Sequence, residues 1–261
     1  MNDPRHTLLQ SRREFLAVMA AGSAAVLGCT TQGPDSAPSG GSARLTARPT
    51  TPSTTVAPGK WLFNPDNSND GNLVVPSGYD PAHPAPLVVA LKGAGVLPEG
   101  PVQLLGPSAE SRGFLLLSPG TRGLTWDVIT SRFSYDVTFI DSMLKWTFDR
   151  CAVDPARIIL QGFSDGATYA LGLGLANGDL FTRIVANSGS YIPGSDSPPV
   201  GKPLFFVSHG KQDQVLPIDG ASRDFVPALR KRGYTVDYTE FDGGHAIPPA
   251  ILTQTVDWFL S

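Results

Sequence analysis

The chain is poor in the residues that carry metal, redox and nucleic-acid chemistry. It has 2 cysteines and 4 histidines in 261 residues. No His-x-x-x-His spacing occurs and no cysteine pair falls within the C-terminal 200 or so residues, so the zinc-site patterns are missing and no metal or other cofactor is expected. Basic residues are not in excess: 20 Lys and Arg stand against 23 Asp and Glu, a net charge of −3, which excludes a nucleic-acid-binding surface of the usual basic kind. No apolar run reaches the ~18 residues of a membrane-spanning helix. There is no internal repeat. Glycine and proline are plentiful instead, at 28 and 24, and imply many turns, a tail, or both.

The N-terminus reads as an address and not as fold. Ser11-Arg12-Arg13-Glu14-Phe15-Leu16 has the twin-arginine order of a bacterial export signal, and residues 15–28 form an apolar core too short to cross a bilayer. Val26-Leu27-Gly28-Cys29 resembles a lipobox, which implies removal of residues 1–28 and lipidation of Cys29. Ordinary signal cleavage nearby, giving a soluble secreted or periplasmic protein, is the alternative. Membrane contact is expected only through that anchor. Residues 29–59 are almost all Thr, Ser, Pro, Gly and Ala, too little apolar surface to offset ordering entropy, and read as a disordered tether. The other cysteine, Cys151, reads as a small buried hydrophobe.

The folded domain is expected over residues 60–261. Leu87-Val88-Val89-Ala90-Leu91 and Phe114-Leu115-Leu116-Leu117 are unbroken apolar runs, as in strands buried on both faces. Residues 157–160, 183–187 and 203–208 continue the series, and residues 234–241 alternate like an edge strand. Helical patterns fall at residues 102–112, 133–150, 218–232 and 247–260, and an Asp154-Pro155 turn precedes the strand at 157–160. Strands alternating with helices predict an α/β fold with a mostly parallel sheet covered on both faces and no large lid.

One stretch organises this pattern. Gly162-Phe163-Ser164-Asp165-Gly166 follows an apolar strand and opens a helical run, the Gly-x-Ser-x-Gly arrangement of a nucleophile elbow. A serine hydroxyl needs a base, and the base needs an orienting acid. Downstream there are two histidines, His209 and His245, each just beyond a strand. The order serine, acid, base selects Asp213 as acid and His245 as base, with Asp196, Asp219 and Asp242 as weaker acids and His209 as a turn residue. The backbone N–H of Asp165 and that of Ala94, in Lys92-Gly93-Ala94-Gly95, are expected to form an oxyanion hole. Gly93, Gly95 and Trp126 are expected to line the substrate cleft.

With those residues placed, the chain resembles the carboxylesterase/phospholipase branch of the α/β-hydrolases, the small lidless serine esterases. The likeness is carried by Gly162 to Leu171, by Asn177-Gly178-Asp179-Leu180-Phe181, by His209-Gly210 to Pro217, and by Gly243-Gly244-His245 with Pro248. It implies hydrolysis of a small-molecule ester through an acyl-enzyme on Ser164. A peptidase, an amidase, a polyester depolymerase, or a non-catalytic ligand-binding lipoprotein on the same scaffold are the competing readings. Two departures stand out: Lys92 occupies a position where such proteins usually carry histidine, and Asn187-Ser188-Gly189-Ser190 replaces a common Ser-Pro-Gly.

Overall fold

The computed structural model describes residues 41–261 except 65 and 68; the export signal, the lipobox and Cys29 lie outside the described residues. Eight strands form one sheet in the order β1-β2-β4-β3-β5-β6-β7-β8. They are β1 (Gly59–Leu62), β2 (Gly71–Val75), β3 (Ala85–Leu91), β4 (Leu115–Pro119), β5 (Val153–Phe163), β6 (Arg183–Asn187), β7 (Leu204–Gly210) and β8 (Val236–Phe241). β2 pairs antiparallel with both β1 and β4 and the other pairings are parallel, as the expected mostly parallel sheet requires. Among the described residues six α-helices connect or flank them: α1 (Glu99–Arg112), the single turn α2 (Asp127–Thr130), α3 (Tyr135–Phe148), α4 (Asp165–Ala176), α5 (Ser222–Lys231) and α6 (Pro249–Leu260).

The apolar runs lie where two-sided burial demands them. Every residue of β3 and β4 is buried. Side chains alternate between two cores: Leu87, Val89 and Leu91 join the larger one under α3 and α4, and Val88 and Ala90 join the smaller one under α1 and α6. The expected Asp154-Pro155 turn is absorbed into β5 as an irregularity, because the pairing jumps from Ala85↔Val153 to Leu87↔Ile158. Cys151 is fully buried, and burial pushes its thiol up to about 12.

The tether expectation needs correction. Residues 43–47 do not behave as a spacer: Ala43, Leu45 and Ala47 are buried in the larger core. Distant polar side chains hold the backbone of this arm. Asn177 accepts from the Leu45 N–H at 2.8 Å and donates to the Ala43 carbonyl at 2.7 Å. Asp141 accepts from the Thr46 and Ala47 N–H groups, both at 2.7 Å. Arg44 and Arg48 pair with Asp179 at 2.5 and 2.7 Å. The physical need lies in α4, where every residue from Gly166 to Ala176 is buried. A helix with no polar face must be covered all round, and the arm completes the cover. The folded unit therefore takes in residues 43–47, which the expected boundary at 60 left out.

Candidate active site

Ser164 sits between β5 and α4 with φ 58° and ψ −124°, a strained conformation for a residue with a side chain. The flanking glycines are dictated by contact. A Cβ at Gly162 would meet the Gly166 carbonyl oxygen at 2.1 Å, and one at Gly166 would meet the carbonyl oxygens of Leu91 and Lys92 at 2.4 and 2.5 Å. No other residue type fits either position without moving backbone. The Ser164 N–H is held by the Asn187 carbonyl at 3.0 Å.

The structure brings three of the expected residues into one line. His245 Nε2 accepts from Ser164 Oγ at 2.8 Å, and His245 Nδ1 donates to Asp213 Oδ2 at 2.7 Å. A carboxylate can only accept, so the proton rests on Nδ1 and Nε2 is free to take another. The three come from separate places: the elbow, the turn after β7, and the loop between β8 and α6. The Phe163 ring packs on the imidazole at 4.8 Å between centroids. The Asp213 side chain is sealed from solvent. Burial opposes its charge, but the bonds from His209, His245 and the Leu216 N–H outweigh that and hold its carboxyl well below the usual range.

His209 does more than the turn role expected of it. It is fully buried, donates from Nε2 to the Leu216 carbonyl at 2.8 Å, and lies 3.3 Å from Asp213 Oδ2. Asp213 Oδ1 accepts from the N–H groups of Val215 and Leu216, both at 2.9 Å. The acid is thus fixed from three sides. Two of the weaker acid candidates are spoken for elsewhere, Asp219 by Arg223 at 2.7 Å and Asp242 by Lys211 at 3.1 Å, and the third, Asp196, is exposed.

The N–H groups of Asp165 and Ala94 donate to no acceptor among the described residues. A Cβ built on Gly93 would stand 3.4 Å from Ser164 Cβ, so the loop after β3 lies directly against the nucleophile. Gly95 is pinned by its N–H to the Leu124 carbonyl at 2.9 Å. The Asp165 carboxylate turns away from Ser164 and accepts from Thr125 Oγ1 at 2.5 Å.

Trp126 is a correction. Expected as a wall of the cleft, it is fully buried, packs on Tyr169 at 4.8 Å, and donates from Nε1 to the Lys92 carbonyl at 2.8 Å. It supports the loop from behind and cannot touch substrate. Sequence reading also missed a buried polar row across the strand ends: Gln161 donates to Asn187 at 3.3 Å, and Asn187 donates to Ser208 Oγ at 2.7 Å. Polar residues closing three adjacent apolar strands were the available signal. The Asn187–Ser190 loop begins in that row, and Ser188 takes a left-handed φ of 51° while its N–H donates to the Ser208 carbonyl.

The family described as Phospholipase/Carboxylesterase matches over residues 127–261. Feruloyl esterase C of Emericella nidulans is 30% identical over 165 residues, covering 60% of this chain and 59% of that protein. The chain thus spans about three fifths of the length of that relative. Among solved structures, esterase PE8 aligns with a TM-score of 0.58 at 22% identity, over 73% of this chain and 97% of its own. A ferulic acid esterase from Anaeromyces mucronatus, in complex with ferulic acid, aligns with a TM-score of 0.57 at 16% identity, over 89% and 93%. Both likenesses cover a larger share of the chain than the family match does. Since the family match takes in more than half of the residues, including the elbow, the acid turn and the histidine loop, the chain belongs to the phospholipase/carboxylesterase family of α/β-hydrolases.

Proposed function

We propose that the chain hydrolyses carboxylic esters by acyl transfer through Ser164. The observation that carries this reading is the hydrogen-bonded line from Ser164 Oγ through His245 to Asp213, at 2.8 and 2.7 Å. As Oγ attacks the ester carbonyl, its proton passes to His245 Nε2. The imidazolium that forms is stabilised by the buried Asp213 carboxylate. Charge develops on the carbonyl oxygen and is met by the N–H groups of Asp165 and Ala94, each such donor contributing roughly a hundredfold or more. Nε2 then returns the proton to the leaving alcohol. A water molecule, deprotonated by the same nitrogen, attacks the acyl group and releases the acid and Ser164. Esters of aromatic acids belong in the first substrate panel, beside simple acyl esters, because the Emericella nidulans relative is named a feruloyl esterase.

Ser164→Ala is expected to abolish turnover of 4-nitrophenyl butyrate and methyl ferulate with the thermal melt unchanged. A fluorophosphonate probe is expected to label the parent chain at Ser164 and not the variant. Near-normal turnover by the folded variant would refute the assignment.

The proposed setting is extracytoplasmic, with the mature chain anchored through a lipid on Cys29. The support is the order Ser11-Arg12-Arg13-Glu14-Phe15-Leu16 followed by Val26-Leu27-Gly28-Cys29. Mass spectrometry of the mature N-terminus checks it: a start upstream of Cys29, or an unmodified Cys29, overturns the anchor.

A further inference from the structure

Two cavities flank the loop after β3, and Lys92 lines both. One, of about 170 Å³, is apolar, with Val96, Pro101, Leu104 and Phe163 in its wall. The other, of about 230 Å³, is mixed: Asn69, Lys92, Thr121 and Arg122 share its wall with Val96, Leu97 and Leu124. Its opposite walls are joined by the bond from Gly95 to Leu124.

Lys92 is an unusual residue for such a place. It is 4% exposed, yet among the described residues the one hydrogen-bond contact of its Nζ is a long one, 3.5 Å to the Leu124 carbonyl. The Trp126 ring lies 5.8 Å away. Among the described residues no carboxylate comes within 4.0 Å of Nζ. The acidic groups nearest in effect are Asp136 and Asp165, and both are engaged elsewhere. Asp136 accepts from the Asp127 N–H at 2.8 Å, and Asp165 from Thr125. An ammonium has three protons to place, and a buried one without an anion carries a desolvation penalty of several kcal/mol. Arg122, the other cation in the wall, already donates to Tyr135 Oη at 2.6 Å and faces Asp70 at 3.5 Å. Asp136 and Asp165 take their bonds from neutral donors, so both stay charged and act on Lys92 through space. What Nζ lacks is a carboxylate in contact, at a cavity whose wall continues into the loop that lies on the nucleophile.

We propose that the Lys92 end of this mixed cavity receives a carboxylate carried by the ester substrate, with Lys92 Nζ as its counter-ion. The inference rests on the hydrolase reading above and adds a substrate class to it: half-esters of diacids, or esters of hydroxy acids. With the carboxylates of Asp136 and Asp165 already acting on Lys92 through space, a single added negative charge suits the site better than a dianionic phosphate. The apolar cavity across the loop is left for the hydrocarbon part of the substrate.

Two pairs of esters test it. Mono-4-nitrophenyl adipate is compared with the matching adipamate, which places the charge on the acyl side. 4-Acetoxyphenylacetate is compared with its amide, which places it on the alcohol side. In at least one pair the acid is expected to exceed the amide by about tenfold in kcat/KM, the size of one charge-assisted contact. Lys92→Met is expected to bring that ratio to about one, and Lys92→Arg to restore part of it. Ratios at or below one in both pairs for the parent chain would overturn the proposal, as would a preference that survives in Lys92→Met. The parent ratios need no variant, so the proposal stays exposed even where Lys92→Met fails to fold. Turnover of the neutral amides that is lost in Ser164→Ala keeps the hydrolase reading intact whichever way the ratios fall.

Discussion

Replacing Asp213 by asparagine separates the orienting acid from a merely buried one. The carboxylate has two duties. Oδ1 accepts from Val215 and Leu216, and Oδ2 accepts from His245 Nδ1 with His209 Nε2 close by. Asparagine keeps one acceptor and gains two donors. If its amide nitrogen faced the turn, it would meet two N–H groups with no acceptor between them. The oxygen must stay on the turn, so the nitrogen faces His245 and donates to Nδ1. The imidazole is then forced into the other tautomer, with its proton on Nε2 pointing at Ser164 Oγ. The base is lost although every atom is nearly in place. A fall in kcat of about ten-thousand-fold is expected, roughly 5.5 kcal/mol of barrier. The stability loss is smaller, about 1.5–3 kcal/mol, from exchanging charge-assisted bonds for neutral ones. That loss has a pH signature. The folded-state carboxyl titrates below its unfolded value, so its contribution is present above about pH 4 and fades as pH falls through the folded value. Steady-state kinetics on 4-nitrophenyl butyrate, with urea unfolding of both proteins at several pH values, measure the two effects. A folded Asp213→Asn protein within tenfold of the parent would refute the tautomer argument and the role assigned to the acid.

Gly166→Ala drives a methyl group to 2.4 and 2.5 Å from two carbonyl oxygens, both backbone, and is expected to cost about 3 kcal/mol or more by urea unfolding. Gly220→Ala, where an added Cβ meets nothing within 4 Å, is the matched control and is expected to change little. Asp136 behaves oppositely to Asp213. Burial raises its carboxyl to about 6, so the stability it contributes is full below its unfolded value near 4 and is lost as pH rises through 6. Asp136→Asn is therefore expected to flatten the stability profile between about pH 4 and 6, and an unchanged slope there would contradict the assignment.

The elbow and the sheet were legible because their causes are local. Apolar runs such as Leu87–Leu91 can only be two-sided strands, and the glycines at 162 and 166 are read from the chain as directly as from the close contacts they avoid. The acid and base follow from an ordering rule that needs no distances. The N-terminal arm was not legible, since its composition is that of a disordered segment and its anchors, Asn177 and Asp141, lie more than 90 residues away. A clue was present in the other partner: Ala167 to Ala176 has no polar face, which requires cover from somewhere. Trp126 shows a different limit, because one aromatic residue near a cleft fits a wall and a core equally until burial is known. Lys92 was conspicuous as a letter, but its isolation from carboxylates exists only in three dimensions.

The turn between β4 and α2 has a consequence for how such a protein can change over time. Its residues 124–126 reach back to three points of the site: Leu124 to Gly95, Thr125 to Asp165, and Trp126 to Lys92. These are successive residues, and each tie depends on the others keeping their spacing. An inserted or deleted residue there would break the alignment of all three together, moving both amides assigned to the oxyanion. Drift in length is therefore closed to this turn, though it touches no reacting atom. Single side chains around the site, such as that at position 92, are free of this constraint.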